Sequence, residues 1–205
     1  EHTSKKWFPC NKGGSFRKWY GNLEYVVNWE NNGYEICNYK DEQGKLLSRP
    51  QNLSYNFREG LTWSSISSGP ISVRYSSPKM MFESKGSGCF VKNIEDFYLL
   101  QGYLNSKVAM LYLEAIAPTL DYSEGSLLKL PYKYPNCHIG CVEDNVKECI
   151  VLAKTDWDSF ETSWDFEKHP LVLDTNHYSK ISDAFADLST SAEARFDQQK
   201  ANEEE

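Results

Sequence analysis

Apolar and polar residues alternate with a period of two over the first part of the chain, and the period lengthens later on. EYVVNW and YEICNY flank Asn32 and Gly33, the pattern of a β-hairpin over Glu24 to Tyr39. LTWSSI and ISVRYS, parted by SSGP with Gly69 and Pro70, predict a second hairpin, and Met80 to Glu83 a third strand. From about Glu95 the spacing turns helical. One short helix to Tyr103 and a second that starts after Asn105 or Ser106 and carries Val108, Leu111, Tyr112 and Ala115 make a tight pair, which Pro118 ends. SLLKLPY then reads as extended, and Cys137 to Ser159 as a helix. Ile181, Phe185, Leu188, Ala192 and Phe196 form an apolar seam at near-heptad spacing that needs a partner. The expected fold is α+β. A twisted antiparallel sheet with a helix pair fills residues 1–135, and a C-terminal helical segment forms an acidic spacer over 136–205.

Charge sharpens that division. Residues 1–135 hold 16 Lys and Arg against 13 Asp and Glu, a balance of +3, while 136–205 hold 6 against 16, a balance of −10, together the net −7. An anionic ligand is therefore expected on the front part, with the acidic end solvated. No apolar run approaches a membrane span and no leader-like segment opens the chain, so a cytoplasmic protein without a membrane partner is expected. Six irregularly spaced cysteines read as free thiols. The chain opens on Glu1 and stops in a helical run, so it is expected to be part of a longer protein.

The stretch from His2 to Leu23 interleaves Lys5, Lys6, Lys12, Arg17 and Lys18 with five aromatic residues and no carboxylate. Cations follow phosphates and aromatics stack on bases, while Gly13 and Gly14 let backbone amides face an anion. A solvated loop with a buried aromatic face has the same composition. Arg49, Asn52, Asn56 and Arg58 follow the first hairpin, and Arg and Asn are the side chains that grip guanine and adenine edges. Cys137, His138, Cys141 and Cys149 lack paired zinc-knuckle spacing, so no metal is expected there. His2, His138, His169 and His177 fall in no catalytic motif, and there is no P-loop or dinucleotide fingerprint. Carboxylates from Asp156 to Glu167 read as a wet turn or an interdomain surface. No catalytic residue is expected in this chain.

Seven strings, in order, carry a resemblance. They are KWFPCNKGGSFRKWYGNLEYVVNWENNGYEI from Lys6, LLSRPQN from Leu46, EGLTWSSISSG from Glu59, VRYSSPKMMFESKG from Val73, LLQGYLNSKVAMLYL from Leu99, APTLDYSEGSLLKLP from Ala117 and DWDSFETSWDF from Asp156. Together they resemble the C-terminal target-recognition region of the PglX-like, BREX-type (bacteriophage exclusion) adenine-specific DNA methyltransferases, related more loosely to fused restriction-modification enzymes. The resemblance implies that an upstream domain binds S-adenosylmethionine and methylates adenine, while this region grips double-stranded DNA. The family's Asn/Asp-Pro-Pro-aromatic signature is missing here, so no cofactor and no methyl transfer are expected of these residues alone. Residues in shared strings, namely Lys12, Arg17, Lys18, Trp63, Ser64 and Lys85, are cast as backbone holders or scaffold. Lys40, Gln43, Lys45, Arg74 and Lys79 are cast as base readers. The competing reading is a protein-interaction module whose aromatic surface and Ile181 to Phe196 seam dock other subunits of the defence complex, and charge reversal at Arg17 and Lys18 is the variant expected to separate the two. The same chain, a neighbouring copy and the parent methyltransferase domain are the candidate partners of the seam itself.

Overall fold

A computed structural model describes residues 5–172 and 178–205, so His2 and His177 lie outside the described residues. Among the described residues, two three-stranded sheets and six helices make up an α+β architecture. In the first sheet β1 (Trp7–Asn11) pairs antiparallel with β2 (Tyr25–Asn28) and parallel with β5 (Met81–Phe82). In the second, β3 (Gly60–Ser64) lies between β4 (Val73–Ser76) and β6 (Gly86–Cys89), antiparallel to both.

The second expected hairpin is thus present as β3 and β4. Alternation along β3 sends Leu61 and Trp63 into a core with Val73, Phe97, Leu104 and Leu113. Thr62 and Ser64 are buried as well, because the other face of the strand is also covered. The third expected strand shrinks to β5 and joins β1 instead. β6 was unforeseen. Its sequence GSGC has no apolar alternation, and a side chain at Gly86 would collide with the Asn11 backbone carbonyl.

The expected Asn-Gly hairpin is replaced by a coil. Asn31, Asn32 and Gly33 all adopt left-handed conformations, with φ of 50°, 57° and 74°. Three such residues in succession wind the chain instead of reversing it, and α1 (Glu30–Cys37) runs on to the carbonyl of Tyr34, which accepts from the Asn38 side chain at 2.8 Å.

Helices α2 (Asp96–Asn105) and α3 (Lys107–Ile116) form the expected pair, joined by Ser106. The Ser106 hydroxyl caps α3 by accepting from the Ala109 amide at 3.1 Å. SLLKLPY is not extended; its start belongs to a helical turn, α4 (Glu124–Leu127), which Ser123 caps. Helix α5 (Ile139–Asp158) is not a solvated spacer. It packs along α2, and its Val146, Cys149 and Ala153 enclose Trp19 from the front of the chain. Helix α6 (Ile181–Glu204) has no buried residue, and Ile181, Phe185 and Phe196 of the seam are 83%, 59% and 69% exposed. Among the described residues, no helix is long and apolar enough to cross a membrane.

Candidate nucleic-acid interface

The turn at Gly13 and Gly14 gathers several expected contact residues. Its φ values of 85° and 149° suit glycine. Ser64 clasps the turn, its hydroxyl accepting from the Gly14 amide at 2.9 Å and donating to the Gly14 carbonyl at 3.0 Å. The Lys85 carbonyl accepts from the Ser65 amide, which brings Lys85 beside the same turn. Lys12 and Lys85 are exposed, and neither forms an ion pair among the described residues. Ser64 itself is buried, as is Trp63, whose indole donates to the Tyr122 carbonyl at 2.8 Å. Trp63 is scaffold.

Arg74 is not at the surface. It is 1% exposed, and its guanidinium donates to the Arg17 carbonyl, the Ser72 carbonyl and hydroxyl, and the Ser64 hydroxyl at 3.3–3.4 Å. Among the described residues no carboxylate pairs with it. Burial, and then the neighbouring Arg17 charge, push its pKa down to about 10. In this position it braces the loop before Trp19 and presents nothing to a base edge.

Three other base-reader candidates come together. Beyond α1 the chain reverses in a short hairpin-like ribbon over residues 39–47, closed by one isolated bridge between Lys40 and Leu46 and by the Leu47 amide donating to the Tyr39 carbonyl at 2.9 Å. Asp41 rigidifies the tip, because one carboxylate oxygen accepts from the amides of Gln43 and Lys45 at 3.0 and 2.8 Å. Lys40, Gln43 and Lys45 are all exposed on that tip. Tyr39, Leu46 and Leu47 are 60%, 52% and 53% exposed, so the ribbon projects without a core of its own. Lys79 is exposed too, but it sits apart on the turn before β5. Arg58 stacks on Tyr55 at 5.2 Å, near the ribbon in sequence.

Arg17 and Lys18 face inward to the acidic helices. Trp19 pairs with the edge of β4, its amide donating to Val73 and its carbonyl accepting from Tyr75 at 3.0 and 2.7 Å. This holds the preceding cations against α5 and α6. Arg17 meets Asp156 at 2.8 Å and covers the Trp157 ring at 5.2 Å, while Lys18 meets Glu203 at 2.8 Å. Of the carboxylates after Asp156, Asp158 and Asp165 are likewise engaged, both by Lys154. A groove of about 1180 Å³ runs beside these contacts between the 16–19 segment, α2, α3, α5 and α6. Lys107, Lys133, Arg195 and Lys200 line it, and none of them is ion-paired among the described residues. Sequence reasoning passed over these four, because they are scattered singly among acidic or apolar neighbours.

Among the described residues no three metal-ligating side chains converge. All six cysteines are unpaired, and burial pushes the Cys10 and Cys149 thiols up to about 11 and about 12. The glycine turn leads from β1 into a loop and not into a helix N-terminus, so these residues do not fit a nucleotide-type cofactor cradle.

No protein-family model matches the chain. It is 40% identical over 205 residues to an adenine-specific methyltransferase PglX of Lacticaseibacillus casei, covering 98% of this chain and 17% of that protein. It is 35% identical over 185 residues to an adenine-specific methyltransferase BrxX of Escherichia coli, covering 89% of this chain and 14% of that protein. The chain thus spans about a sixth of the length of these relatives. An identity of this size held across nearly the whole chain reflects common descent, and the chain belongs to the PglX and BrxX family of adenine-specific methyltransferases, of which it represents one segment.

Proposed function

We propose that this chain is the duplex-recognition segment of an adenine-N6 DNA methyltransferase of the BREX phage-defence type. The observation that carries the proposal is the ribbon over 39–47, exposed on both faces and tipped by Lys40, Gln43 and Lys45. A tight projecting turn of this kind is narrow enough for the major groove, where Lys and Gln side chains distinguish base edges. Lys12 and Lys85, beside the glycine turn, and Lys79 serve the phosphates. In this reading residues 1–135 read the duplex. The parent's catalytic domain, outside these 205 residues, takes up S-adenosylmethionine and receives the flipped adenine.

Duplex binding measured at two salt concentrations tests the proposal. The expected result is salt-dependent affinity that falls when Lys40 and Lys45 are reversed to Glu. Binding by the parent protein that is indifferent to both salt and reversal overturns it. Reversal at Arg17 and Lys18 is a poor discriminator, because it also breaks the ion pairs to Asp156 and Glu203.

The exposed seam on α6 favours a second reading, in which Ile181, Phe185 and Phe196 dock the parent domain or another defence subunit. Replacing Ile181 and Phe185 with Ser separates the two, since only the docking role predicts lost assembly with unchanged duplex affinity.

A further inference from the structure

Trp19 is buried and takes φ of 70°, a left-handed conformation that bulky residues rarely adopt. Its indole N–H donates to one oxygen of the Glu203 carboxylate at 2.6 Å, and the Lys18 ammonium donates to the other at 2.8 Å. Two donors from adjacent residues thus grip two oxygens of one anion, the arrangement that a phosphodiester also satisfies. The anion is supplied by the last turn of α6, a helix with no buried residue. Around it polar contacts hold the helix end among the described residues: Asn202 to Glu148 at 2.9 Å, Gln198 to Glu148 at 3.5 Å, and Glu205 to Asn145 at 3.2 Å and to Cys141 at 3.3 Å. Lys107 and Lys133 line the same groove, without ion-pair partners among the described residues.

We infer that the Lys18–Trp19 pair is a phosphodiester-binding site latched by Glu203, and that a nucleic-acid backbone entering the groove displaces the end of α6. The inference rests on the duplex-recognition reading and adds to it a second, self-occluded contact surface. A helix fixed by polar bonds is exchangeable, because each bond it gives up to water or to an incoming phosphate is replaced in kind. An anion-binding pair left empty would be costly, whereas one handed from carboxylate to phosphate is not. The unpaired Lys107 and Lys133 then extend the track that the strand follows.

The test compares this chain with its Glu203→Gln variant in binding a short random-sequence duplex at two salt concentrations. Gln keeps an acceptor for the Trp19 indole, and circular dichroism confirms that the fold is retained. The latch predicts that the variant binds about fivefold tighter at low salt, because no carboxylate has to be displaced from Lys18 before the phosphate enters. Adding Lys107→Glu and Lys133→Glu to the variant abolishes the gain. Hydrogen exchange gives an independent readout, because duplex added to the unaltered chain speeds exchange over residues 198–205. Affinity that is equal in the two forms, or duplex that protects 198–205, overturns the latch. Binding that is lost on reversing Lys40 and Lys45 but indifferent to Glu203 overturns the latch alone, whereas absence of duplex binding by either form overturns the recognition reading with it.

Discussion

Two cationic regions of this chain face opposite circumstances. The ribbon over 39–47 holds Lys40 and Lys45 in solvent, on a turn fixed by Asp41 and by backbone bonds, with no hydrophobic core beneath it. The 16–19 segment is pinned to the edge of β4, and its Arg17 and Lys18 are neutralised by Asp156 and Glu203 of the acidic helices. Density of positive charge in sequence therefore says little about availability. The richer basic stretch is the one spent internally, while the sparser one remains free for a ligand. What distinguishes them is long-range partnership, because Arg17 and Lys18 reach carboxylates 139 and 185 residues away.

The contrast predicts that the two regions respond oppositely to substitution. Trp19→Ala opens a cavity against Val146, Cys149 and Ala153 and is expected to cost about 3–5 kcal/mol of stability in a denaturant titration. Lys40→Ala and Lys45→Ala are each expected to change stability by less than about 0.5 kcal/mol. Their effect falls on duplex affinity, where a lost base contact costs about 1–3 kcal/mol in a binding isotherm. Stability losses at the ribbon equal to those at Trp19 would erase the distinction.

Smaller effects sharpen it. Asp41→Ala removes the acceptor for two tip amides and is expected to cost about 1 kcal/mol, seen as faster hydrogen exchange at Gln43 and Lys45 with no change at Trp19. Acid acts on the other region. Burial opposes ionisation of Glu203, but the hydrogen bonds from Lys18 and Trp19 prevail and hold its carboxyl below the ordinary value of 4.5. An acid with a depressed folded pKa contributes stability that is present above the unfolded value and lost as pH falls through the folded one. The end of α6 is therefore expected to loosen as the pH falls below 4.5. Proteolysis across that range, with cleavage after Lys200 as the readout, measures it.

Much of the fold was legible where the period of the pattern was strong. LTWSSI and ISVRYS alternate cleanly and pair as β3 and β4, and Ser106 marks the start of α3 by its capping chemistry. The Asn-Gly signal misled because Asn31 joins Asn32 and Gly33 in the left-handed region, so the chain coils there and reverses later, at the Asp41 turn. Of the candidate site, Lys40, Gln43 and Lys45 were placed by reasoning about resemblance and lie together on one tip. Arg74 was not legible as a strut. Its alternation with Val73 and Tyr75 puts it on the second face of β4, and only the tertiary fold reveals that the loop carrying Arg17 covers that face. Lys107 and Lys133 were invisible for a similar reason, since the groove they line is assembled from segments distant in sequence.

The central claim is that the ribbon reads the duplex. Its most direct test is a genome-wide map of methylated adenines in cells carrying the full-length methyltransferase, intact or with Lys40, Gln43 and Lys45 replaced by Ala. The account predicts that the replaced ribbon relaxes or abolishes the target sequence while the protein remains folded. The same adenines methylated to the same extent would contradict it.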